Sequence, residues 1–497
     1  MQWKVPCTIT AAVVLLAAPA SATNGMNMEG YGPVSSALGG AGIAFDSGTA
    51  ALMINPATLM LQPRATTRLD VAFGYLGPDV SAAVRTPQGR LSATSLADAY
   101  FMPAFGWITR KGDIAYGLGV FAQGGMGTEY GPTSWLADPS QGQNTALTKG
   151  LVNQSEVSVG RALVPLAYQL NERLSIGATV DLVWAGLDLK MAMSEAQFVD
   201  LANPQAQMSG TASGSLTQVF GALYEPFGGT GIRRLHHAYF DFANDSQFTG
   251  QSRGAGLGGK LGIVYEVAPN LSLGAVYHTP TAISDLETSD ASMRMAVNVD
   301  VGLMTTGIPN DQYVDMDIPV RGKITVEDFQ WPATFGLGVA YGPTDAVRIV
   351  ADVKRIQWSS VMEKFAMVFE ADAVPENGAF GGQELKAVLY QDWEDQTVLS
   401  LGAEWQASPA VTLRAGFNHG SNPVPDSFLN ALFPAIVENH ATIGLGYALG
   451  EHGSANISIM RGFNSEATNP GNGVTVPSVT SAHAQWNSQL MYTYWIN

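Results

Sequence analysis

The feature that most restricts the possible folds is a two-residue alternation that recurs from Thr67 to the end of the chain. Residues 174–184, LSIGATVDLVW, show it clearly, because apolar side chains occupy every second position and mostly small or polar ones fill the positions between. The same rhythm runs through residues 69–75, 114–120, 261–277, 335–353, 399–417 and 441–459. Such alternation is typical of strands whose two faces meet different surroundings. We count fourteen plausible strands and predict an all-β fold.

Three further features favour an antiparallel transmembrane β-barrel over a soluble β-sandwich or propeller. Charged residues make up only 13% of the chain, against about 25% in soluble domains, and no apolar run after residue 22 is long enough for a membrane helix. Short turns, as at 268–270 and 342–345, alternate with long stretches near 188–250 and 283–320, which we predict to be extracellular loops. Aromatic residues close the apolar faces, as in the interfacial girdles of such barrels: Tyr75, Trp107, Trp184, Tyr265, Tyr277, Tyr341, Trp405 and Tyr447.

The first 22 residues predict export. Lys4 precedes an apolar run at 9–18, and Ala20-Ser21-Ala22 forms a small-residue cleavage site, as in a secretory signal peptide; an uncleaved anchor is the alternative. Cys7, the only cysteine, lies in this segment, which argues against disulfide-based and thiol-catalytic functions. The net charge of −17 argues against nucleic acid as a partner. We expect a protein of a Gram-negative outer membrane that contacts lipid and lipopolysaccharide.

Residues 23–66 precede the first strand and are unusual in composition. The stretch 36–60, SALGGAGIAFDSGTAALMINPATLM, is rich in glycine and alanine, carries a single charge and ends near Asn55-Pro56-Ala57. Glycine permits tight turns and close backbone approach, and Asn55 before a proline is biased toward extended conformations. Taken alone, the tripeptide is more typical of an ordinary turn at a strand entry.

Together with this segment, several downstream motifs carry a resemblance to a known family. The N-terminal segment, including YGP at 31–33 and ALGGAGIA at 37–44, resembles the plug of the outer-membrane transporters of long-chain fatty acids and aromatic hydrocarbons, the FadL/TodX family. Further similar stretches follow in the same order: FAQGG at 121–125, TEYG at 128–131, WED at 393–395, RAGF at 414–417 and PVP at 423–425.

The resemblance implies a fourteen-stranded monomeric barrel, residues 67–497, with residues 23–66 folded inside it as a hatch. It also implies passive transport without a cofactor: capture of a hydrophobic ligand at the outer loops, binding near the hatch, and lateral release where the third strand is kinked. Gly124 and Gly125 stand where that kink would fall, and glycine inside a strand commonly marks a bulge. A plain strand end with a glycine turn is the alternative.

The long stretch 190–250 is unusually apolar for an exposed loop. Residues 219–224 have the spacing of a short amphipathic helix. Six side chains are candidates for a hydrophobic capture surface: Phe198, Val219, Phe220, Leu223, Tyr224 and Phe227. Alternatively, they pack this stretch against its neighbours.

Other functions have weaker support. Residues 250–254, GQSRG, match the G-x-S-x-G pattern, so an outer-membrane esterase using Ser252 is one alternative, although the motif leads into strand residues where a nucleophile elbow requires a helix. A general porin for polar solutes and an adhesin are the others. Arg233-Arg234 and His236-His237 are interpreted as solvated residues, and no metal signature is present. We therefore expect a channel and not an enzyme; the choice between fatty acids and hydrocarbons stays open.

Overall fold

The computed structural model describes residues 24–87, 89–138, 150–203, 207–244, 250–473 and 476–496. The predicted signal peptide lies outside them. The strands are β1 Thr67–Thr86, β2 Gly89–Thr94, β3 Tyr100–Lys111, β4 Ile114–Tyr130, β5 Asn153–Asn171, β6 Leu174–Ser194, β7 Gly210–Ser213, β8 Ile232–Phe242, β9 Ser252–Ala268, β10 Leu271–His278, β11 Ala282–Ile283, β12 Leu286–Asp300, β13 Tyr313–Glu327, β14 Thr334–Thr344, β15 Val347–Ile356, β16 Lys364–Ala371, β17 Glu384–Tyr390, β18 Gln396–Gln406, β19 Val411–Gly420, β20 Asn439–Ala448, β21 Gly453–Asn469 and β22 Val479–Ile496.

Helices are short and occur between the strands. The α-helices are α1 Gly32–Ala37, α2 Ala51–Ile54, α3 Glu195–Ala202, α4 Ser215–Leu223 and α5 Val301–Thr306. The 3₁₀ turns are Gly48–Ala50, Pro56–Leu61, Trp135–Ala137, Glu225–Phe227, Trp358–Ser360, Pro375–Phe380 and Asp426–Phe428. Among the described residues no helix has the length and apolarity needed to cross a bilayer.

The strands close into an antiparallel barrel. Each strand of the wall pairs with the next in the order β1, β3, β4, β5, β6, β9, β10, β14, β15, β18, β19, β20, β21 and β22. The ring is completed by β22, which pairs with β1 from Thr67↔Ile496 to Val84↔Val479. The antiparallel all-β fold predicted from the alternation is therefore confirmed.

The wall is apolar outside and more polar inside. In β6, Val180 and Leu182 are 63% and 61% exposed, whereas Asp181 between them is fully buried. Comparable apolar side chains are exposed on every strand of the ring, and Trp405 and Tyr447 lie among them. A soluble protein would hide such side chains, whereas lipid covers them on a membrane barrel.

The two ends of the barrel differ. Turns of a few residues connect β3 to β4, β5 to β6, β9 to β10, β14 to β15, β18 to β19 and β20 to β21 at one end. Much longer connections leave the other end, which in outer-membrane barrels is the extracellular one.

The two segments predicted to be long loops are largely regular structure, so that prediction was wrong in detail. Residues 188–250 contain the end of β6, α3, β7, α4 and β8, while 283–320 contain all of β12, α5 and the first part of β13. From β6 the sheet continues through β8, β12, β13, β16, β17 and β7, which we call the outer sheet. The cause is an alternation in β12 that spans Met293, Met295, Val297 and Val299, all of which are buried.

Residues 24–62, which we call the N-terminal segment, lie inside the barrel. Almost all of them are buried, and their hydrogen-bond partners come from opposite sides of the wall. Thr49 N–H donates to Asp70 of β1 (2.9 Å), Ala44 O accepts from Ser272 of β10 (2.7 Å), and Gln489 of β22 donates to Ser36 (2.9 Å). The wall thus supplies the core that so small a segment lacks.

Candidate functional site

Asn55 connects the N-terminal segment to itself and to the wall. Its Nδ2 donates to Ile43 O (2.7 Å) and to Ile263 O of β9 (3.2 Å), and its Oδ1 accepts from Ala57 N–H (3.0 Å). The side chain is fully buried. Asn55 has an extended backbone (φ −145°) and directly precedes the 3₁₀ turn that Pro56 begins. All three residues of the tripeptide therefore take part in this turn.

Charged and polar side chains of the wall hold the glycine-rich part of the segment. Asp352 Oδ2 accepts from Gly42 N–H (2.7 Å) and Ile43 N–H (3.1 Å), and Lys354 donates to Gly40 O (3.0 Å). On β19, two strands further along the wall, Asn418 donates to Gly39 O (3.0 Å). The backbone amides of a segment without regular structure are thereby paired, as burial requires.

Glycines of the wall face the N-terminal segment at close range. A methyl group built on any of several of them would overlap this segment: Gly106, Gly177, Gly262, Gly274, Gly402, Gly416 and Gly444. The inner wall is therefore shaped to the backbone of residues 37–57, since larger side chains would exclude it.

Strand β4 changes its partners near the predicted glycine pair. Its pairing with β3 ends at Phe105↔Val120, whereas its pairing with β5 continues to Tyr130↔Asn153. A bulge interrupts the β4–β5 register between Ala122 and Gly124. The wall is therefore open between β3 and β4 from Val120 to Glu129, where Glu129 O accepts from Leu96 N–H (2.7 Å).

The N-terminal segment covers this opening from inside. Gly125 N–H donates to Met26 O (3.0 Å), and Asn27 forms a bridge with Gly124. A methyl group on Gly124 would overlap the Met26 carbonyl. A cavity of about 30 Å³ remains behind the opening, lined by Tyr31, Met102 and Phe121 among others. This volume suits a water molecule, whereas a cavity that binds benzene measures about 150 Å³.

The connection between β19 and β20 folds into the outer mouth of the barrel. Leu429, Leu432 and Ile436 in it are almost completely buried. Tyr130 donates to Ala431 O (3.0 Å), and Thr128 (3.1 Å) and Ser155 both donate to Leu432 O. Residues 421–438 therefore narrow the entrance from above.

A larger pocket lies at the outer end, where this connection meets the outer sheet. It measures about 200 Å³, and its apolar lining includes Met191, Met193, Leu201, Leu389, Leu429 and Leu432. Asn153, Gln197, Asp200 and Asn469 contribute polar groups. A second pocket of about 20 Å³ shares Met191, Met193, Leu201 and Leu389 with it and continues to Phe369 beneath the outer sheet. Met191 and Met193 lie between the two pockets. Methionine side chains are flexible, so the wall between the pockets can adapt to a ligand.

The predicted capture residues lie close to these pockets but mostly pack together. Residues 215–223 are helical, as the spacing of 219–224 indicated, and Phe198, Phe220, Tyr224 and Phe227 form a chain of rings with centroids 5.1 Å apart. Of the six, Phe198 lines the small pocket; Val219 and Leu223 pack against the core, and Phe227 is 38% exposed.

A buried charge cluster lies on the inner wall beside the opening. Asp181 Oδ2 lies 2.8 Å from Arg161 Nη1 and 2.5 Å from Lys260 Nζ. All three side chains are almost completely buried. Two basic side chains therefore share one buried carboxylate.

The remaining sequence candidates are placed as follows. Ser252 is buried at the start of β9 and pairs with Leu187, so the residues after it form a strand and not the helix of a nucleophile elbow. Arg233 and Arg234 lie on β8 near Glu225 and Glu195. His237 on β8 is buried, which, together with nearby Arg294 and His236, lowers its pKa to about 4. In the described part of the chain no three histidine or acidic side chains are grouped to hold a metal.

Sequence reasoning did not identify the outer pocket or the inward connection at 421–438. Met191 and Met193 lie in the apolar stretch 190–250, and their alternation at the end of β6 is the signal that places them on one face.

Residues 11–475 match the sequence profile of the outer membrane protein transport protein family (OMPP1/FadL/TodX). The fold is similar to that of the toluene transporter TodX of Pseudomonas putida, with 27% identity, a TM-score of 0.75 and coverage of 94% of this chain and 98% of that one. The toluene transporter TbuX of Ralstonia pickettii gives 27% identity, a TM-score of 0.71 and coverage of 94% and 99%. A FadL homologue of Pseudomonas aeruginosa shares the fold at 15% identity, with a TM-score of 0.66 and coverage of 95% and 99%.

One curated sequence is also similar, an uncharacterized protein in the 5′ region of the phosphoenolpyruvate carboxykinase gene of Chlorobium limicola. It is 48% identical over 79 residues, which are 16% of this chain and 39% of that relative. The chain thus spans less than half the length of this relative. The profile match extends over nearly the whole chain, and it agrees with the barrel and with the predicted location. The chain belongs to the OMPP1/FadL/TodX family of outer membrane transport proteins.

Proposed function

We propose that this protein is a passive outer-membrane channel for uncharged hydrophobic compounds, with single-ring aromatic hydrocarbons as the main substrate class. The observation that carries the proposal is the outer pocket of about 200 Å³, in which methionine and leucine side chains make up one part of a mixed apolar and polar lining. A cavity of about 150 Å³ suffices for benzene, and burial contributes roughly 0.8 kcal/mol for each CH₂. TodX and TbuX, both toluene transporters, are the relatives whose similarity supports this class.

The route inward requires movement. The cavity behind the β3–β4 opening holds about 30 Å³, too small for a ring. We propose that residues 23–66 act as a hatch, that Asn55, Pro56 and Ala57 anchor it, and that ligand leaves sideways at the bulge by Gly124 and Gly125. The pairing order of the wall supports the predicted ring of fourteen strands. A monomeric state and contact with lipopolysaccharide stay predictions.

Transport of fatty acids is a second candidate, and the charge cluster of Arg161, Asp181 and Lys260 favours it. A ligand carboxylate would give these two buried basic side chains a second acidic partner. A hydrocarbon has no charged group that could pair with Lys260. Substitution of Lys260 therefore distinguishes uptake of fatty acids from uptake of hydrocarbons.

The test is uptake of radiolabelled toluene and oleate by cells that lack transporters of this kind, with and without the protein. We expect toluene uptake above the background of cells without it. Ala192→Trp fills the outer pocket and should reduce uptake roughly tenfold, since loss of two buried carbons already costs about 1.6 kcal/mol. Ala222→Trp, on the exposed face of α4, is the matched control and should leave uptake unchanged.

The outcomes distinguish the candidates. Oleate uptake that Lys260→Met abolishes would select the fatty-acid candidate. Uptake of neither compound by the correctly inserted protein would refute both and favour the porin or adhesin alternatives. Hydrolysis of an ester that Ser252→Ala abolishes would instead support the esterase.

A further inference from the structure

One side-chain oxygen joins the N-terminal segment to two distant parts of the chain. Asn27 Oδ1 accepts hydrogen bonds from Gln123 Nε2 of β4 (2.7 Å) and from the indole Nε1 of Trp331 (2.8 Å). Asn27, Gln123 and Trp331 are all buried. Buried hydrogen bonds of this kind are costly to leave unmade, so the three groups hold one another in place.

Gln123 is the residue at the β4 bulge, and its polar atoms turn toward the N-terminal segment. Besides Asn27, its Nε2 donates to the Tyr31 hydroxyl (2.9 Å), which in turn donates to Gln123 O (2.8 Å). Next to it, Gly125 N–H donates to Met26 O. The shape of the bulge, and with it the β3–β4 opening, is therefore set from inside the barrel.

Trp331 lies in the connection between β13 of the outer sheet and β14. It packs edge-to-face on Trp358, with centroids 5.4 Å apart, and Trp358 packs in the same way on Trp393 at 5.3 Å. Trp358 also closes over Gly25, where a methyl group would lie 2.6 Å from Nε1. The three indoles form the layer between the outer sheet and the N-terminal segment.

We infer that Asn27 is a positioning residue that couples the indole layer of Trp331, Trp358 and Trp393 to the β4 bulge, so that displacement of Trp331 releases Gln123. The inference rests on the proposed function, because it explains how a ligand arriving from outside opens an exit that the N-terminal segment covers. Asn27 itself need not touch the ligand. Both donors bind the same oxygen and together fix its position, so movement of Trp331 also disturbs the hydrogen bond between Asn27 and Gln123.

The test measures access to the opening directly. Because the only cysteine lies at position 7, in the predicted signal, Ala104→Cys places a single thiol in the cavity behind the opening. Its reaction rate with a water-soluble methanethiosulfonate is measured in proteoliposomes, with and without toluene. Trp331→Phe keeps an aromatic ring but removes the indole N–H that donates to Asn27. Gln123→Met removes the other donor to Asn27, and the double variant completes a double-mutant cycle. Trp358→Phe is the matched control, since its indole bonds Gln396 instead (3.3 Å).

We expect Trp331→Phe and Gln123→Met each to raise the ligand-free labelling rate roughly 3- to 10-fold, as loss of one buried hydrogen bond would. The double variant should react no faster than the faster single variant, and toluene should accelerate only the parent protein. Independent, multiplicative effects of the two substitutions would overturn the coupling, as would an equal effect of Trp358→Phe. Absence of toluene uptake in the parent would refute the proposed function, while the labelling cycle would still decide whether the three residues are coupled.

Discussion

Replacement of Asn55 by alanine should free the N-terminal segment while the barrel stays closed. The side chain is fully buried and makes three hydrogen bonds, two to carbonyl groups and one from Ala57 N–H. Each contributes about 0.5–1.5 kcal/mol net. The free energy of local opening of residues 43–58 should therefore fall by about 2–4 kcal/mol, a sum within that range.

Amide hydrogen exchange of the purified protein measures this opening free energy. Each 1.4 kcal/mol is tenfold, so exchange at Ile43 and Thr58 should accelerate roughly 30- to 700-fold. Both amides have partners that the substitution leaves in place, Asp352 and Asn55 O. Asn270→Ala is the control, because that side chain makes one hydrogen bond in an exposed turn (3.2 Å). Unchanged exchange at both amides would show that Asn55 does not anchor the segment.

Two further predictions concern the wall and the outer sheet. Gly262→Ala should accelerate exchange at the same amides, since its methyl group would overlap Asn55 Oδ1, whereas Gly342→Ala, with only ordinary contacts, should not; equal effects of both would contradict the close-packing argument. The pKa of His237 is lowered from 6.5 to about 4, mainly by burial. The outer sheet should therefore have its full stability above pH 6.5 and lose part of it as the pH falls through 4. Exchange in β8, corrected for intrinsic rates, measures this, and a His237→Phe variant with the same pH dependence would refute it.

The barrel was predictable because its alternation is repeated along nearly every wall strand. The same signal was present in the outer sheet, for example at Met293, Met295 and Val297, but it was not recognised there. Strands that extend beyond the membrane carry charged residues on one face, and their length resembles that of a loop. The position of the N-terminal segment inside the wall came from the resemblance and not from its own pattern, since glycine-rich sequence without periodicity does not specify its surroundings.

The contacts that join distant parts of the chain were not predictable. Asn27 and Gln123 are 96 residues apart, and Asn27 and Trp331 are 304 residues apart. Each is an ordinary residue in its local sequence, and only the closure of the ring brings them together. The bulge near Gly124 has a signal in the local sequence, because glycines inside a strand commonly mark one. A shared hydrogen-bond acceptor has no such signal.

The pairing of β1 with β22 bears on the order in which the molecule assembles. The wall stays incomplete until the last strand of the chain has arrived, while the N-terminal segment is synthesised before any strand. Glycine weakens a strand that has nothing to pack against, and the inner wall carries its glycines where the segment lies. A ring that closed while empty would lack those contacts. We therefore expect deletion of the N-terminal segment to slow membrane assembly more than it changes the finished wall.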